Sequence, residues 1–124
     1  MHNENEQSFC PIKDTLDFIN RKWVLCILMD MFTGLSHFNE FKEANPEISN
    51  NVLSQTLKFM ESSSLIIKKT ENNGTEYVIS DRGLKFNTLL WDMIQFSFSE
   101  LNGSKFDDDI KNKMLSEYKR LLNI

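Results

Sequence analysis

The side chains best placed to do chemistry form one short run: Ser49, Asn50, Asn51, Ser54, Gln55 and Lys58. On a helix turning about 100° per residue, Leu53, Leu57 and Met60 share one face. Asn51, Ser54, Gln55 and Lys58 all point away from it. Amides at that spacing suit the major groove of a duplex, where Asn and Gln pair bidentately with adenine and Lys reaches guanine or phosphate. An amide-rich helix face is also what ordinary solvated surface looks like, so its meaning depends on what surrounds it. A second reactive candidate is Cys10, directly before Pro11. A thiol at a helix start feels unpaired backbone amides and the positive end of the dipole, which favour the thiolate. The alternative is a purely structural cap. Cys26 lies within an apolar run and reads as a small core residue.

Other chemistries lack their parts. Two cysteines with His2 and His37 offer neither a disulfide scaffold nor a zinc spacing, so no metal and no cofactor are expected. Cys10 and His37 have no third orienting group at a recognisable spacing. With no phosphate-cradling glycine loop and no paired-acid motif either, an enzyme is not expected. The formal net charge of −4, from 14 basic and 18 acidic residues, argues against coating nucleic acid by bulk charge. Residues 46–90 carry 5 basic and 5 acidic side chains, against 4 and 7 in residues 1–45 and 5 and 6 in residues 91–124. The third that holds the amide-rich run is thus the least acidic. The longest apolar run, Trp23 to Met29, is far shorter than the roughly 20 residues a membrane-spanning helix needs. The N-terminus has no signal pattern, so a cytoplasmic protein with no membrane partner is expected.

The elements that must position these residues follow from periodicity and punctuation. The 124 residues, 40% hydrophobic and with ten Phe, suit one compact domain over 10–124 after a flexible tail over 1–9. Pro11 opens a first helix whose Ile12, Leu16 and Ile19 share a face. The next helix, about Trp23 to Phe32, is apolar on nearly every side, as a central buried helix would be, and Gly34 ends it. Ser36 is expected to cap a short helix through Phe38 and Phe41, stopped by Asn45-Pro46, and Ser49 to cap the amide-faced helix.

After Glu61 the period becomes extended. Two β-rich runs over 65–79, around Asn72-Asn73-Gly74, predict a hairpin. Lys68 and Lys69 on it can meet a phosphate backbone, although Lys pairs are common on exposed strands. Ser80 then caps a long helix to about Phe98 with two apolar stripes: Phe86, Leu90 and Met93, and Leu84, Trp91, Ile94 and Phe98. A last helix from about Asp107 to 123 carries Ile110, Met114, Tyr118 and Leu121 at helical spacing. A small domain rarely needs both stripes, so the spare face meets a two-fold mate or fills the chain's own core. The fold class is mainly α with a small β-hairpin (α+β), in the order of a winged helix-turn-helix.

Five blocks then carry a resemblance. They are Cys10-Pro11-Ile12, Asn20 to Leu25, His37-Phe38-Asn39-Glu40-Phe41, Ile48 to Leu57, and Glu76 to Gly83. In order and without large gaps over about residues 10–98, the chain resembles the HxlR-type winged-helix transcription regulators. The resemblance implies a homodimeric, sequence-specific regulator, a repressor, on a palindromic double-stranded DNA operator. It places Ser49, Asn50, Asn51, Ser54, Gln55 and Lys58 at the groove, with Ser49 and His37 near phosphates. Lys68, Lys69 and Asn73 fall on the wing. Pairing through the first and the C-terminal helices would use Ile12, Leu16, Leu84, Trp91, Ile94, Phe98, Met114 and Tyr118. Several members that sense quinones, aldehydes or oxidants look like this chain at Cys10, which makes a small electrophile or oxidant a candidate partner. Two departures stand out: the wing tip carries no cation, and Thr56 and Phe59 replace frequently charged positions. A winged helix turned from DNA to a protein partner is the alternative.

Overall fold

The computed structural model describes residues 9–72, 74–101 and 103–124. All but Phe9 of the expected tail, and Asn73 of the wing, lie outside the described residues. The chain runs α1 (Pro11–Phe18), α2 (Val24–Phe32), α3 (Phe38–Ala44), α4 (Asn50–Ser62), β1 (Ile66–Glu71), β2 (Gly74–Ile79), α5 (Asp81–Leu84) and α6 (Asn87–Phe96). A π-helical turn over Ser97–Leu101, a 3-10 turn over Gly103–Lys105 and α7 (Asp108–Leu121) follow. The fold is thus mostly helical with one antiparallel hairpin, in register Ile66 opposite Ile79 to Glu71 opposite Gly74. That is the fold class the sequence predicts.

The core gathers where α2, α3 and α4 meet the root of the hairpin. Val24, Ile27, Leu28 and Met31 of α2 are buried with Phe41, Ile48, Leu53, Leu57, Met60, Leu65 and Ile66, and Leu90 and Leu122 close it from the C-terminal side. Its edges are set by helix ends. At α2 the Gly34 N–H bonds the Met31 carbonyl and the Leu35 N–H bonds the Asp30 carbonyl, with Gly34 at φ 106°. The same double closure ends α4, with Ser64 at φ 64° in the position usually held by Gly. The buried pair Met60 and Leu65 flanks that turn and sends the chain into β1.

Four expectations are corrected. Cys26 is exposed: it shares a face with the charged Asp30 four positions on, while Val24, Ile27, Leu28 and Met31 take the core face. His37 rather than Ser36 caps α3, because Glu40 then stands at the third helical position and its carboxylate accepts from the Ser36 and His37 N–H groups at 2.9 and 3.0 Å. Those bonds hold the Glu40 carboxyl below its ordinary range. The helix expected from Ser80 to Phe98 is divided into α5 and α6. The N–H groups of Lys85 and Phe86 bond only three residues back, to Arg82 and Gly83. Met93, expected on the same stripe as Leu90, is exposed although both lie on α6, because the core covers only the Leu90 side of that helix.

Candidate nucleic-acid interface

The helix that carries the amides is positioned at both ends. Ser49 caps α4, its hydroxyl accepting from the Val52 N–H at 3.1 Å. The turn before it is tied down from two sides. Asn45 donates its amide to the Asp30 carboxylate at 2.7 Å and to the Phe41 carbonyl at 2.9 Å, and the Lys42 ammonium donates to the Pro46 and Ile48 carbonyls. Burial pushes the Asp30 carboxyl above its ordinary range, and the Asn45 bond pulls it part of the way back. Leu53, Thr56, Leu57 and Met60 are buried beneath the helix. The angle between α3 and α4 is therefore fixed by side chains that no ligand needs to move.

On the opposite face Ser49, Asn50, Asn51, Gln55 and Lys58 are exposed, and Ser54 is half-buried at the flank. Val52, 40% exposed, adds an apolar contact surface beside the amides; methyl groups of that kind suit a thymine methyl. Thr56 and Phe59 do not belong to this face. Thr56 is buried with its hydroxyl donating to the Val52 carbonyl at 2.8 Å. The Phe59 ring lies 6.4 Å from that of Phe18 and beneath the Arg21 guanidinium at 4.5 Å. Arg21 is thus beside α4, a proximity that sequence spacing does not reveal.

Lys68 and Lys69 are both exposed, opposite Tyr77 and Glu76. Neighbours on a strand point to opposite faces, so only one of the pair can meet a given surface. His37 sits between wing and helix pair: its Nδ1–H donates to the Thr75 carbonyl at 3.1 Å. Cys10 stands at the α1 N-cap in extended backbone, half-buried, with no side-chain cap bond. Cys26 is a different thiol. Its apolar neighbours, and then the Asp30 carboxylate, push it above the ordinary range.

The residues expected to pair two copies are not all placed alike. Ile12 and Leu16 are exposed and, with Ile19, Leu25 and Met93, line an apolar groove of 410 Å³ between α1, α2 and α6. Leu84 is exposed as well. Trp91 and Ile94 are half-buried against the chain's own core. The Phe98 ring packs 5.9 Å from Phe106 and 6.5 Å from Tyr118, and Met114 and Tyr118 are half-buried on α7.

Comparison with known proteins agrees with this arrangement. A family described as HxlR-like helix-turn-helix matches residues 18–105. The uncharacterised HTH-type transcriptional regulator YvaP of Bacillus subtilis is 26% identical over 108 residues, 83% of this chain and 99% of its own. The similarly described YdeP of the same organism is 28% identical over 82% of this chain and 77% of its own. Among solved structures, the redox regulator HypR in its oxidised form superposes with a TM-score of 0.68 at 26% identity, covering 73% of this chain and 97% of that one.

Proposed function

The chain belongs to the HxlR-like helix-turn-helix family, and from that premise we propose that it is a cytoplasmic repressor holding a palindromic DNA operator as a homodimer. One observation carries the reading. Asn51, Gln55 and Lys58 project from the solvent face of a helix whose other face, cap and preceding turn are all locked by the fold. A rigid helix with an amide edge reads bases, and two of them about one duplex turn apart in a two-fold dimer read a palindrome. The apolar groove lined by Ile12 and Leu16 supports the pairing, since exposed apolar surface of that kind commonly meets a mate. Among the described residues no helix is long and apolar enough to cross a membrane.

Selection of duplexes from a randomised pool tests the reading. The expected result is an enriched inverted repeat whose affinity falls steeply with salt. On that repeat, Gln55→Ala should cost about 1–3 kcal/mol and relax one base position in each half-site. No enrichment, with binding indifferent to salt, would instead favour the protein-docking alternative.

Cys10 is the proposed point of release. Its sulfur adds to an electrophilic carbon of a quinone, forming an S–C bond, and the ring takes up the proton the thiol gives up. The adduct sits at the start of α1, and the far end of α1 places Phe18 against Phe59 of α4, so a shift of α1 is passed to the helix that carries the reading face. HypR, similar in structure, is a redox regulator, which supports a response to a reactive small molecule here. Treatment with a quinone should lower DNA affinity in the native protein and leave Cys10→Ser unchanged. Equal loss in both would place the sensor elsewhere.

A further inference from the structure

Beside the reading face, and bordered by its Gln55 and Lys58, lies a depression whose other residues base recognition does not use. Arg21, Gln55, Lys58, Phe59 and Ser62 line this depression, of about 400 Å³, at the C-terminal half of α4. Two of the five are cations and none is a carboxylate, in a chain whose acids outnumber its bases by 18 to 14. Arg21 comes from the loop between α1 and α2, where its own backbone is held: its N–H donates to the Ile19 carbonyl at 2.7 Å and its carbonyl accepts from Val24 at 3.2 Å. The guanidinium lies over the Phe59 ring, 4.5 Å from the centroid. Neither Arg21 nor Lys58 takes part in the ion pairs of the described residues, which are Lys13 with Asp17 and Arg120 with Glu117. The Ser62 hydroxyl is spent on the Phe59 carbonyl at 3.0 Å and Gln55 is assigned to a base, so the anion-binding capacity of the depression is that of its two cations.

We propose that this depression seats one backbone phosphate of the duplex, gripped by Arg21 and Lys58, with Phe59 as the positioning residue that holds Arg21 in place. The inference rests on the DNA-binding reading above and adds a contact made from outside the helix-turn-helix pair. Stacking on an aromatic face leaves the edge of a guanidinium, with its fork of N–H donors, directed outward, and that fork matches two oxygens of a phosphate. The position fits a backbone contact rather than a base contact. Phe59 is on the flank of α4, about 80° around from Asn51 at helical spacing, where the walls of a groove rather than its floor would pass.

A phosphate contact fixes register without reading sequence, and that separates it from Gln55. The experiment measures the affinity of a labelled random-sequence duplex across a salt series for the native chain and for Arg21→Ala, Arg21→Lys, Lys58→Ala and Phe59→Leu. Thermal melts confirm that each variant is folded. Arg21→Ala should weaken binding several-fold on every sequence alike and lower the salt slope by about one. Arg21→Lys should keep the slope, and Phe59→Leu should give a smaller loss in the same direction. If Arg21→Ala leaves affinity and slope unchanged while Lys58→Ala lowers both, the seat is overturned and the DNA reading survives. If the native chain itself shows no salt-dependent binding to duplex, the DNA reading fails and takes the seat with it.

Discussion

Phe41→Ala should remove about 3–5 kcal/mol of stability, the range for deleting a fully buried aromatic side chain. Phe41 has no exposed surface, and its ring meets that of Tyr77 edge-on at 6.4 Å and 60°, which ties α3 to the hairpin. Its carbonyl also accepts both the backbone and the side-chain N–H of Asn45, at 3.0 and 2.9 Å. The neighbours come from α2, the α3–α4 turn and β2, elements locked to one another, so the cavity has little freedom to collapse. Urea unfolding should show a large drop in midpoint with the slope retained. Phe41→Leu, which keeps most of the volume, should fall well short of it. A loss below about 1 kcal/mol for the alanine variant would mean that the site refills, and that α3 is held by its caps rather than by this ring.

Gly83→Ala should cost about 3 kcal/mol, the upper part of the range for overpacking. A Cβ there would sit 2.3 Å from the Leu65 carbonyl oxygen and 2.8 Å from Ile79 Cγ1. The first neighbour is backbone and cannot rotate away. That same carbonyl accepts the Ser80 N–H at 3.0 Å, and the Ser80 hydroxyl donates to the Ser64 carbonyl at 2.6 Å, so the root of the hairpin and the start of α5 are one welded unit. The added methyl must therefore break the weld or displace α5. Gly74→Ala is the control. Nothing lies within 4 Å of its Cβ position, and its cost is the strain of φ 113° alone. Comparable losses in the two variants by chemical denaturation would refute the contact argument.

How far the sequence could be read depended on whether the cause was local. Ser49 and Ser80 were legible as caps because each bonds an N–H three residues on, within its own segment, and Asp107, expected only as the start of the last helix, does the same. The hairpin was legible from its turn, and the amide face from a buried stripe with three apolar members. His37 as a cap was also within reach, since Glu40 follows it by three residues. Cys26 was harder to place: Asp30, four positions on, marks its face as the outer one, but the long apolar run around both masks that single signal. The division between α5 and α6 was not legible: residues 81–96 are mostly ordinary helix formers, and the constraint is the close approach of Gly83 to Leu65, eighteen positions away. Arg21 over Phe59 and Leu122 in the core are likewise facts of tertiary packing.

The bonds that hold the segment Ser36–His37 against β2 have a consequence for how copies of this chain behave when concentrated. A two-stranded ribbon has two free margins, each a row of backbone groups on which a foreign strand can build, and such growth leads to fibres. Along β2 the Tyr77 N–H is already taken by the Ser36 carbonyl at 2.8 Å, and the Thr75 carbonyl by the His37 ring. That margin is closed from within the molecule. The margin of β1 remains, and it carries Lys68, Lys69 and Glu71. Copies stacked in register would set like charges against each other along its length. Wing-to-wing templating is therefore blocked sterically on one side and electrostatically on the other, and the hairpin can stand out from the body without seeding insoluble polymer.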